Sequence, residues 1–161
     1  MKKELLKQII RDFHVAPLPT LKRRTLQVPT DTGKIITLVG VRRSGKTSYL
    51  FNLIEDLLKQ GVPVTRILYV NFEDERLDLK TEELDLLLQA YQELYPDLQV
   101  EECYFFFDEI QNIDGWDKFV RRVYDKGTKN IYITGSNARF LSSEIATSLR
   151  GRTISYEVFP L

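Results

Sequence analysis

The chain has 161 residues, 43% of them hydrophobic and 29% charged, which suits one globular domain with a sizeable core. Lys plus Arg and Asp plus Glu both number 23, so the formal net charge is zero and nothing in the overall charge points to a dedicated nucleic-acid or membrane-surface protein. One cysteine, Cys103, leaves no intrachain disulfide or cysteine-rich metal framework. The charged N-terminus lacks a signal-peptide core and no apolar run nears the roughly 18 residues of a membrane span, so the expectation is a cytoplasmic protein with no membrane contact.

In chain order, Lys3 to Phe13 reads as a short amphipathic helix, with Leu5, Leu6, Ile9, Ile10 and Phe13 on one stripe. Pro17 and Pro19 end it. Leu26 to Pro29 reads as extended and Asp31-Thr32-Gly33 as a turn. From Ile35 the pattern alternates between short apolar runs and helical stretches. The strands expected are Ile35–Val39, Ile67–Val70, Cys103–Phe107, Ile131–Thr134 and Thr153–Phe159. The helices expected are Lys46–Gln60, Thr81–Tyr95, Trp116–Tyr124 and a short one over Ser142–Leu149. Strands separated by helices imply right-handed βαβ units and a parallel sheet, hence a three-layer α/β domain of about five strands. Ligands of such sheets bind beyond the carboxyl ends of the strands.

Directly after the first strand comes Gly40-Val41-Arg42-Arg43-Ser44-Gly45-Lys46-Thr47, which fits G-x-x-x-x-G-K-[ST], the P-loop. Its glycines let successive backbone N–H groups turn onto phosphate oxygens, and the next helix points its positive end at the same anion. Lys46 is expected to reach the β- and γ-phosphates and the Thr47 hydroxyl to coordinate magnesium. Ser48 completes the stretch expected against the nucleotide. Arg42 and Arg43 are unusual inside such a loop and read as phosphate contacts, contacts to a neighbouring subunit, or solvated side chains.

Four apolar residues, Tyr104 to Phe107, run into Asp108-Glu109. About sixty residues after a P-loop, this is the Walker B arrangement. Asp108 is expected to hold the metal, directly or through water, and Glu109 to orient or deprotonate the water that attacks the γ-phosphate. A small-molecule kinase, whose acceptor is a substrate hydroxyl, does not need that glutamate, so the pair favours hydrolysis.

After the fourth strand, Gly135-Ser136-Asn137 offers Ser136 first and Asn137 second as a polar group between the two Walker elements, although the triplet also suits a plain turn. Asn71, Glu73, Asp74 and Glu75 end the second strand and either tune the metal site or are solvated. Arg150 and Arg152 precede the last strand. They read as arginines stabilising the transferring phosphoryl group, in cis or in a neighbouring subunit, or as an ordinary basic turn. His14 reads as surface or packing, Trp116 as a core or interface anchor, Cys103 as a buried thiol, and Lys22-Arg23-Arg24 and Arg121-Arg122 as solvated clusters in preference to nucleic-acid contacts.

Taken in order, GVRRSGKT, YFFFDEIQNIDGW, ITGSNARFL and LRGRTISYEVFPL resemble the prokaryotic AAA+-type ATPases with a G-x-R-R-S-G-K-[ST] Walker A, over about Arg24 to Leu161. The resemblance implies an additional-strand P-loop sheet ordered 5-1-4-3-2. It implies Lys46 and Thr47 as Walker A, Asp108 and Glu109 as Walker B, Ser136 near sensor 1, and, through Leu149, Gly151 and Arg152, a preference for Arg152. It also implies a further domain after Pro160-Leu161, so the chain divides into a lead-in over 1–30 and an ATPase core over 31–161 of a longer protein. Partner proteins, nucleic acid and self-assembly would then belong to the missing part.

The expected chemistry is magnesium-dependent ATP hydrolysis driving conformational change in a partner. A nucleotide-dependent switch without hydrolysis is the alternative, and a phosphotransferase lacks a long insertion to serve as a lid. ATP is the default base, since no Asn-Lys-x-Asp-like guanine motif appears.

Overall fold

A computed structural model describes residues 2–18, 32–136 and 149–159. It has one sheet of five parallel strands: β1 (Ile35–Val39), β2 (Ile67–Asn71), β3 (Tyr104–Asp108), β4 (Ile131–Gly135) and β5 (Thr153–Glu157). Their spatial order is β2-β3-β4-β1-β5, the expected 5-1-4-3-2 read from the other edge. The helices are α1 (Lys2–Val15), α2 (Lys46–Lys59), α3 (Leu84–Leu94) and α4 (Trp116–Lys126).

Differences from the expected elements are local. The anticipated helix over Thr81–Tyr95 begins as a separate tight turn over Thr81–Glu83, and the α-helix proper starts at Leu84. Strand β3 starts and ends one residue later than expected and carries Asp108 within its ladder, opposite Asn71 of β2. Strand β5 ends at Glu157. The extended stretch at Leu26–Pro29 lies outside the described residues, as does the anticipated helix over Ser142–Leu149 up to residue 148.

Strand β3 shows why the sheet is covered on both faces. Its side chains alternate, so Phe105 and Phe107 enter one core while Phe106 enters the other, all three fully buried. The first core collects Leu6 and Ile10 of α1, Leu84, Leu87 and Tyr91 of α3, and Phe119, Val120 and Val123 of α4. The second is closed by Leu50, Leu53, Ile54 and Leu57 of α2, with Phe106 stacked on Tyr132 at 4.5 Å between ring centroids. Trp116 and Cys103 are both core residues, and burial raises the Cys103 thiol pKa. No helix among the described residues is long and apolar enough to cross a membrane.

Helix α1 is tied to α3 and the turn before it by ion pairs of Lys3 and Lys7 with Glu93, and of Lys2 with Glu83. Beyond them sits His14, a packing residue. Its Nε2 lies 2.6 Å from the Ile67 carbonyl oxygen, which only accepts, so Nε2 carries the proton. Nδ1 then accepts from the Tyr95 hydroxyl at 2.7 Å. Burial lowers the His14 pKa below its ordinary 6.5, partly offset by the Ile67 bond. A depressed folded-state pKa means that protons favour the unfolded chain, so this stabilisation is intact above 6.5 and is lost as pH falls below it. The urea midpoint, measured at about pH 8 and about pH 5, is expected to drop less on acidification in His14→Gln than in the parent.

Candidate functional site

Strands β1 and β3 flank β4, and the three end together at one edge of the sheet. The P-loop leaves β1 there. Arg43 (φ 64°) and Gly45 (φ 96°) take left-handed conformations that fold the loop tightly, and Ser44 N–H closes it on Val41 O at 3.1 Å. Gly40 packs where no side chain fits: a Cβ would lie 2.5 Å from Val158 O and 2.6 Å from Ser44 Oγ. Gly40→Ala is therefore expected to displace the loop and weaken ATP binding with little change in the rest of the fold, which calorimetric titration and a thermal melt check together. Helix α2 begins at Lys46 with no side-chain cap, leaving its first N–H groups for an anion.

The Asp108 carboxylate is fully buried and takes three hydroxyls. Thr47 and Tyr69 each donate to Oδ2 at 2.7 Å, and Thr134 donates to Oδ1 at 2.6 Å. The Thr134 hydroxyl also accepts the Glu109 backbone N–H at 2.9 Å. Tyr69 has its pKa raised, first by burial and then by the negative charge of Asp108.

Glu109 follows at φ 55°, a left-handed conformation uncommon outside glycine, which turns its side chain toward the P-loop. Its Oε1 lies 3.1 Å from Lys46 Nζ and its Oε2 accepts from Gln111 Nε2 at 2.7 Å. Lys46 also donates to the carbonyls of Gly40 and Val41. Both partners of this ion pair are buried, Lys46 at 4% and Glu109 at 8% exposure. An open cavity of about 580 Å³ borders Arg42, Lys46, Thr47, Asn71, Glu73 and Glu109, within the range of small-ligand sites. Magnesium suits the donor set. A threonine hydroxyl and a carboxylate are hard oxygen ligands, and this ion takes one or two such groups with phosphates and water filling the rest.

A family model for the AAA domain matches residues 32–161, most of the chain. The chain belongs to the AAA domain family. This is a family of P-loop ATPases, and the parallel sheet and its strand order accord with it. The chain is 42% identical over 162 residues to the uncharacterized protein MJ1544 of Methanocaldococcus jannaschii, covering 99% of this chain and 34% of that protein. It is 41% identical over 131 residues to an uncharacterized protein of Haemophilus influenzae, covering 81% of this chain and 32% of that one. The chain thus spans about a third of the length of each relative.

Within this AAA domain the anticipated P-loop residues, Asp108 and Glu109 come together. Arg42 and Arg43 are exposed and border the cavity, Arg42 with a 3.4 Å contact to Glu73. Ser136 stands at the same edge, half-buried, and Thr134 two residues earlier bonds both Asp108 and the Glu109 backbone. Asn137 lies outside the described residues. Arg150 and Arg152 are not brought to the site. Ile35 N–H bonds Arg152 O, and Thr153 is level with Ile35, so both arginines stand at the amino-terminal edge of the sheet. The P-loop lies at the other edge, a whole strand away or about 13 Å at about 3.3 Å per residue. Arg152 there forms a two-pronged pair with Asp125, at 2.9 and 3.2 Å. A role for either arginine in cis is corrected by this placement. Tyr69, Thr134 and Gln111 were not anticipated.

Proposed function

We propose that this domain binds ATP with magnesium in the P-loop cavity and hydrolyses it, with Glu109 as the residue that activates water. The observation carrying this reading is the placement of the Glu109 carboxylate 3.1 Å from the P-loop lysine, next to a buried aspartate bonded to Thr47. Lys46 reaches the β- and γ-phosphates by leaving the carbonyls of Gly40 and Val41 and the Glu109 carboxylate. That exchange frees Glu109 Oε1 to accept a proton from water, while Gln111 continues to hold Oε2. The water oxygen bonds to the γ-phosphorus as the bridge to the β-phosphate breaks, ADP departs with the bridging oxygen, and the water proton passes to Glu109. Magnesium supplies neutralisation of the phosphate charge at Thr47 and Asp108.

Among the described residues Arg150 and Arg152 stand at the sheet edge opposite the cavity, so charge stabilisation at the γ-phosphate by either one is assigned to a neighbouring copy. Coupling to a partner protein or nucleic acid is assigned to the two-thirds of the relatives' length outside this chain. A second reading, a nucleotide-dependent switch, is favoured by one observation: both Glu109 oxygens are already engaged, by Lys46 and Gln111. Phosphate release from ATP with magnesium, set against the same mixture in EDTA, separates the two. The hydrolase reading expects release that EDTA abolishes, and tight ATP binding without release supports the switch.

A further inference from the structure

The third hydroxyl on Asp108 comes from outside both Walker elements. Tyr69 lies on β2, level with Phe106, and reaches along the sheet edge to donate to Asp108 Oδ2 at 2.7 Å. Its ring is held from two sides. Phe13 of α1 stacks on it with centroids 5.1 Å apart, and Phe51 of α2 meets it at 5.0 Å, while Phe13 and Phe51 are themselves 6.5 Å apart. Helix α1 precedes residue 32, where the match to the AAA domain begins.

We propose that Tyr69 is a positioning residue for magnesium: its hydroxyl fixes the rotation of the Asp108 carboxylate, and Phe13 of α1 fixes Tyr69. The inference rests on the reading of this cavity as a magnesium–ATP site. Each Asp108 oxygen needs an anchor if the carboxylate is to present one orientation. Thr134 anchors Oδ1, and Thr47 and Tyr69 anchor Oδ2. Thr47 is the one of these three whose own oxygen is also a metal ligand, so its hydrogen bond responds to metal binding. Tyr69 and Thr134 are the two anchors that do not move with the ion. Groups that orient a metal-binding carboxylate in this way change metal affinity without touching the metal. Through the aromatic stack, the N-terminal helix becomes part of the support of the metal site, although it contributes no ligand.

Tyr69→Phe keeps the ring and its packing on Phe13 and Phe51 and removes only the hydroxyl. Binding of a fluorescent non-hydrolysable ATP analogue is followed as magnesium is titrated, and again in EDTA, with a thermal melt of each protein. In Tyr69→Phe the magnesium concentration for half-maximal binding is expected to rise about tenfold, with binding in EDTA unchanged. Phe13→Leu, which retains the hydroxyl but loosens the ring, is expected to shift the same midpoint in the same direction by less. An unchanged or lowered magnesium requirement in Tyr69→Phe overturns the role of Tyr69, and an unchanged one in Phe13→Leu alone overturns the role of α1. If the parent shows no magnesium-dependent binding, the reading of the cavity falls and takes this inference with it. A loss in EDTA equal to the loss in magnesium marks Tyr69 as merely structural.

Discussion

Replacing Glu109 with Gln is expected to slow phosphate release from magnesium–ATP about a hundredfold or more, while ATP binding stays equal or becomes tighter. The substitution is isosteric and keeps an acceptor for Gln111 Nε2, so the left-handed turn at residue 109 and its backbone bond to Thr134 have no reason to shift. What it removes is the group proposed to take the proton from water. It also removes a negative charge beside the γ-phosphate and releases Lys46 from its ion pair, and both changes favour the anion. The split between lost turnover and retained binding is therefore the signature. Loss of binding and turnover together would instead mark Glu109 as part of the scaffold.

Lys46→Ala has the other large expected effect, and it acts on binding. A charge-assisted contact to phosphate contributes about 3 kcal/mol, so ATP affinity is expected to fall about a hundredfold. Stability falls as well. Lys46 and Glu109 form a buried pair, and removing one member leaves the other as an uncompensated charge, at a cost of about 3 kcal/mol or more. Combining Lys46→Ala with Glu109→Gln is then expected to cost less stability than the sum of the two single changes, a non-additivity that urea unfolding of the four proteins reads directly. Additive costs would mean that the pair contributes nothing to the fold.

Much of this site is legible in the sequence because its parts are local. The P-loop is eight consecutive residues between a strand and a helix, and Asp108-Glu109 end an apolar run, so pattern alone places both at the ligand edge. The strand order came from the family resemblance and not from periodicity. What escaped is set by register between strands. Tyr69 reads as one more aromatic in a buried run, and only the pairing of β2 with β3 brings its hydroxyl to Asp108, 39 positions on. Thr134 carries a weak signal as the one small hydroxyl residue in the otherwise apolar and aromatic run of β4, next to a Gly-Ser-Asn that also suits a turn. The placement of Arg150 and Arg152 was open to reasoning from the sequence. Residues that precede a parallel strand stand at the edge opposite the P-loop, so both arginines lie away from the P-loop of their own chain.

The most direct test of Glu109 as the activator of water is a single turnover. The protein in excess over radiolabelled ATP and magnesium is sampled over time, with the parent and Glu109→Gln side by side, and bound nucleotide is resolved into ATP and ADP. The expected result is conversion of bound ATP to ADP on the parent and persistence of intact bound ATP on the variant. Conversion at the same rate on both proteins would contradict it.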